Sequence, residues 1–137
     1  MIPTHDVRGA LHAARDEEKR QSLFYRALAA AAEAAGNEEQ AERLNGLLAD
    51  EQHHLSRLSA RLLELGERLA DLSVMKTPDV RYPGWEDTAR SREAAEVDRY
   101  AALLEQPLDD ATAAMVREFL EAERRHAAQL GGKWMPA

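Results

Sequence analysis

None of the 137 residues is cysteine, which excludes disulfides, thiolate nucleophiles, Cys-based zinc sites and iron–sulfur clusters. Any bound metal must then be held by oxygen and imidazole. Aromatics are scarce at 5%, and there are only 7 glycines and 5 prolines. Ala, Leu, Glu and Arg dominate instead, which is the composition of helices rather than of a β-sheet. Basic residues are outnumbered, 18 Lys plus Arg against 25 Asp plus Glu for a net charge of −7, which argues against a general nucleic-acid or anionic-membrane binder. The longest apolar run, Ala27 to Ala32, is far short of the roughly 18 residues that span a bilayer. Met1–Asp6 holds no basic-then-apolar leader, so the expectation is a soluble, cytoplasmic protein without nucleic acid or membrane among its partners.

The length suits one domain with one core, and Gly and Pro act as punctuation. A first helix is expected from about Asp6 to Ala35, started by Pro3 and Thr4 and stopped by Gly36-Asn37. Asn37 with Gln40 reads as a capping box for a second helix over about 38–66, ended by Gly66 or the residues soon after. Leu44, Leu48, Glu51, Leu55, Leu58, Leu62 and Leu65 fall on one arc of that helix. Residues 67–85 include Pro78 and Tyr82-Pro83-Gly84-Trp85 and form a connection with at most a helical turn or two at its start. A third helix is expected over about Glu86–Glu105, before Pro107. A fourth begins near Asp109-Asp110 and ends at Gly131-Gly132, over about 109–130. The reading is all-α: an antiparallel four-helix bundle of two helix hairpins joined by a connection long enough for an overhead crossover.

The halves repeat. Leu44, Leu48, Glu51, His54, Leu55 and Leu58 recur 72 positions later as Val116, Leu120, Glu123, His126, Ala127 and Leu130. In the first and third helices a shift of 75 matches Glu18 with Glu93 and Tyr25 with Tyr100. Each half thus supplies one lone-Glu helix and one Glu-x-x-His helix. Residues three apart lie about 60° round a helix and about 4.5 Å along it, so Glu51 with His54, and Glu123 with His126, can share a metal. Glu18 stands about as far before the first turn, near residue 36, as Glu51 and His54 stand after it. Glu93 bears a similar relation to Glu123 and His126 about a second turn near residue 107. Such offsets bring the six groups to within roughly 6–8 Å of one level. Four carboxylates buried together would be prohibitively costly without counter-charge, and two divalent cations remove that cost. Oxygen plus imidazole suits Fe or Mn and accepts Zn.

The same ligand set defines the ferritin-like di-iron proteins. From about Ala10 to Leu130 the sequence resembles the rubrerythrin family: Glu18 followed by Phe24-Tyr25, then Leu48-Ala49-Asp50-Glu51-Gln52-His53-His54-Leu55, then Glu123-Arg124-Arg125-His126. The resemblance implies a di-iron oxidoreductase, or non-haem peroxidase, whose ferrous pair reduces hydrogen peroxide or dioxygen, a role in oxidative stress. In it Glu18 and Glu93 bridge or span the irons while Glu51 with His54, and Glu123 with His126, bind one each. Glu93-x-x-Glu96 resembles the family's extra glutamate, so that Glu96 would join after oxidation, although the roles of Glu93 and Glu96 could be exchanged. Tyr25 and Tyr100 resemble tyrosines that hydrogen-bond the ligand carboxylates. Classical members carry a Cys-rich rubredoxin domain, which these residues cannot form, so an external electron donor is implied. Only Gly131–Ala137 follow the fourth helix, which makes a cage ferritin's fifth helix and 24-subunit shell doubtful and a homodimer the natural expectation, with helix pairs open to exchange between subunits.

Three other readings compete: a ferroxidase of iron storage or detoxification, a stress-associated metal-binding module without turnover, and a metal-free structural bundle. His53 is expected to point about 100° away from His54, Glu17 to face outward, and His5 and His12, which have no matching counterparts, to be surface residues.

Overall fold

The computed structural model describes residues 5–130, the side chains of His5 and Asp6 excepted. It holds four helices and, among the described residues, no strand: α1 (His5–Ala34), α2 (Glu38–Glu64), α3 (Trp85–Leu103) and α4 (Asp110–Ala128). The all-α class is as expected, and the helices pair as α1 with α2 and α3 with α4. Two compact units emerge: Leu11–Trp85, and residues 86–130 together with the first turns of α1, residues 5–10. The start signals Pro3 and Thr4, the stop at Gly131-Gly132 and the side chain of His5 lie outside the described residues. No helix among the described residues is long and apolar enough to cross a membrane.

In the first unit, α1 ends where Gly36 takes a positive φ of 78°, a conformation that costs glycine little because it has no Cβ. Asn37 N–H then donates to Ala32 O at 2.9 Å and Gly36 N–H to Glu33 O at 3.0 Å, which satisfies carbonyls the helix end would strand. Asn37 caps α2, accepting from Gln40 N–H at 3.1 Å. The expected capping box forms only in half: the Asn37 N–H is already used, and Gln40 Oε1 instead accepts from Asn37 Nδ2 at 3.3 Å and from the Tyr82 hydroxyl. Antiparallel pairing shows in the register, because advancing along α1 through Arg15, Glu18 and Gln21 meets Ser59, His54 and Glu51 in descending order on α2. The buried stripe of α2 is Ala41, Leu44, Leu47, Glu51, His54, Leu58 and Leu62. It corrects the expected arc: Leu47 is buried while Leu48, Leu55 and Leu65 are half-buried, because spacings of three and four around Glu51 and His54 turn the stripe toward Leu47.

The connection runs back along this hairpin without helix. Arg15 Nη1 donates to Ala70 O at 3.0 Å, and Tyr82 reaches Gln40 at the opposite end of α2. His12, expected at the surface, is half-buried with Nε2 3.0 Å from Glu67 Oε1, because the returning chain brings Glu67 over α1.

In the second unit, α3 begins one residue earlier than expected, at Trp85, and ends two earlier, at Leu103. Leu104 N–H still bonds four residues back, to Tyr100 O at 3.1 Å, and residues 105 and 106 then tighten into turns bonded three back, as in Glu105 N–H to Ala102 O at 3.1 Å. Arg90 on Leu130 O at 3.0 Å, His126 beside Glu93 at 3.3 Å and Tyr100 on Phe119 at a ring separation of 5.6 Å set an antiparallel register. Asp109 caps α4, accepting from Thr112 N–H at 2.8 Å and from the Thr112 hydroxyl at 3.0 Å. Asp109→Ala is expected to cost about 1 kcal/mol, read as a lower urea midpoint of the metal-free protein with an unchanged m-value.

Candidate metal centre

Each hairpin turns glutamates and one histidine inward at mid-length. The inward stripe of α3 is Trp85, Ala89, Glu93, Glu96, Tyr100 and Leu103, all buried, with two glutamates where a core helix ordinarily places leucines. On α1, Leu11, Ala14, Glu18, Gln21, Tyr25 and Leu28 follow the same pattern, also buried.

In the first unit, Glu18, Glu51 and His54 each present a ligand atom, and these atoms lie within 4.8 Å of one another. His54 Nδ1 is 3.1 Å from Glu18 Oε2 and 3.6 Å from Glu51 Oε1. In the second unit, Glu93, Glu123 and His126 form an equivalent group, again within 4.8 Å. His126 Nδ1 is 3.0 Å from Glu123 Oε1 and 3.3 Å from Glu93 Oε2. All four glutamates are fully buried and both histidines nearly so. A histidine between two carboxylates on the same ring nitrogen therefore occurs once in each unit.

The electrostatics of the second group are decided by two opposing effects. Burial alone pushes the His126 imidazolium down in pKa, but the hydrogen-bonding distance and negative charge of Glu123 and Glu93 raise it to about 11. Metal-free, this group holds a proton where a cation of higher charge would fit. No amide or hydroxyl among the described residues donates to either oxygen of Glu123, although buried acceptors are ordinarily satisfied. Donors about 2.1 Å from a shared ion stand no more than about 4.2 Å apart, and the 3.0–3.6 Å spacings meet this. Each buried Glu–Glu–His group can hold a metal ion.

Of the other expected site residues, Glu96 is buried one turn beyond Glu93, with Oε1 3.1 Å from Arg99 Nη1. Tyr25 and Tyr100 are fully buried, set edge-on against Phe24 at 5.3 Å and Phe119 at 5.6 Å. His53 is exposed, and Glu17 is half-buried in an ion pair with Arg20. Sequence reasoning passed over Gln21, which is buried with Nε2 3.5 Å from Glu51 Oε2. Its position three residues after Glu18, on the same face, was the available signal.

Comparison with family models and with curated proteins returns no match.

Proposed function

We propose that the two Glu–Glu–His groups serve one pair of irons and that the protein is a di-iron oxidoreductase, similar in activity to rubrerythrins, that reduces hydrogen peroxide. The observation that carries this reading is the duplication: two buried carboxylates and one histidine, in the same order and with the same ring nitrogen engaged, in each unit. A structural ion pair needs no such repeat, whereas two ferrous ions giving one electron each together supply the two electrons that peroxide reduction takes.

Glu51 with His54 would hold one ion and Glu123 with His126 the other, with Glu18 and Glu93 completing the two sets and Glu96 in reserve as a further carboxylate. When bound, a ferrous pair supplies the two electrons that, with two protons, convert one peroxide into two waters. The chain's own contribution is fixed donor spacing and a dry surround, since burial strengthens electrostatic interaction and excludes competing water. None of these 137 residues is cysteine, so they form no iron–thiolate relay, and electrons to restore the ferrous state would come from a reductant outside them.

The test is anaerobic loading with Fe(II), measurement of iron per chain, and stopped-flow absorption on adding peroxide or dioxygen. Two irons per chain, oxidised faster by peroxide than by dioxygen, are expected. Oxidation driven by dioxygen that continues past two irons would instead identify a ferroxidase, and failure to bind a stoichiometric pair would overturn the assignment.

A further inference from the structure

The lone glutamates and the Glu-x-x-His pairs of the two halves correspond, and one buried position beside them differs in its hydrogen-bonding chemistry. The shift of 75 that carries Glu18 to Glu93 and Tyr25 to Tyr100 also carries Gln21 to Glu96. Both residues are buried one helical turn past the lone glutamate, but their chemistry differs: an amide can donate a hydrogen bond, and a carboxylate cannot. Gln21 Nε2 lies 3.5 Å from Glu51 Oε2. Glu96 meets Arg99 instead.

The counterpart glutamates are accordingly unequal. Glu51 divides its two oxygens, Oε2 toward the Gln21 amide and Oε1 toward His54 Nδ1 at 3.6 Å. Glu123 has His126 Nδ1 at 3.0 Å from Oε1, and no amide or hydroxyl among the described residues donates to either oxygen. The last torsion of a glutamate is broad and two-fold, so a donor on one oxygen decides which oxygen is presented to an ion.

We propose that Gln21 is a positioning residue that makes the two metal half-sites unequal. Its amide engages one Glu51 oxygen, leaving Glu51 to bind through the other, while Glu123 binds through both. The half on α3 and α4 then offers more donor atoms and fills first. This inference rests on the metal-pair reading above.

Cobalt(II) titration of the full chain tests it, since cobalt substitutes at oxygen and imidazole donors and its visible bands report coordination. The wild-type protein is expected to take two ions in resolved steps at least about tenfold apart in affinity. In Gln21→Leu both Glu51 oxygens are left for the ion, so the weaker step tightens toward the stronger one and the gap between the two steps closes. Only that ion's bands change, and the tighter step stays in place. Gln21→Met, which keeps the length of the side chain, is expected to behave alike and serves where the leucine variant fails to fold, with metal-free melting as the check on folding. Two cobalt ions bound with wild-type steps and bands in a folded variant would overturn the role of Gln21 and leave the metal pair standing. A wild-type protein that takes up no cobalt pair would overturn both.

Discussion

Saturation with a divalent transition metal is expected to raise the melting temperature by roughly 15 °C, and Glu18→Ala to remove most of that gain. An ion that binds only the folded chain stabilises it by about 4 kcal/mol at a thousandfold excess over its Kd, and 1 kcal/mol moves the melting point of a domain of this size by about 3–5 °C. The metal-free state has the opposite dependence on Glu18. That carboxylate is fully buried, and the same group of ligand atoms includes Glu51. Like charges in a low-dielectric surround oppose each other, so Glu18→Ala relieves repulsion when no cation is present, at the cost of the contact to His54. The variant should therefore melt close to or above the wild type without metal, and well below it with metal. Scanning calorimetry of both proteins, each with and without Mn(II), reads all four values. A wild type that gains less than about 3 °C, together with a variant more stable in every condition, would indicate a structural bundle.

The parts of this design legible in the sequence are those where spacing alone dictates geometry. Glu51-x-x-His54 and Glu123-x-x-His126 each had to share a face at a separation of three, and each does. The first turn was legible to within a residue, because Gly36 stops α1 and Asn37 caps α2, so the register that sets Glu18 against His54 followed by counting. The second turn was less so: Pro107 marked its place, but the helical ends depended on turn bonds at 105 and 106 that no local preference announces. The inward face of α3 was visible only through the repeat, since glutamates at its centre spoil any apolar periodicity. Contacts made by the connection were out of reach. The pairing of His12 with Glu67 needs the chain to return over α1, and its path is set by long-range packing rather than by neighbours in sequence. Gln21 was passed over for a different reason, because an amide carries no charge to mark it as part of a site.

Apparent metal affinity is expected to rise about a hundredfold between pH 6 and pH 8 at one of the two half-sites, while the metal-free protein loses stability as the pH climbs further. Both follow from His126. Burial alone would push its pKa down, yet Glu123 and Glu93 raise it from 6.5 to about 11, so near neutrality its Nδ1 shares a proton with them. A metal needs that lone pair and must expel the proton, which makes binding about tenfold stronger per pH unit while the group remains protonated. For folding the sign is reversed. A pKa higher in the folded than in the unfolded chain gives stability that is fully present below the unfolded value, near 6.5, and is lost as the pH rises through the folded value, near 11. Competition titrations with Mn(II) at pH 6, 7 and 8 read the first trend, and metal-free melts from pH 7 to 10 read the second. His126→Gln should flatten the steep half-site and remove its share of the stability decline. A wild-type affinity independent of pH would mean that His126 gives up no proton on binding, and would overturn the protonated state of this group in the metal-free protein.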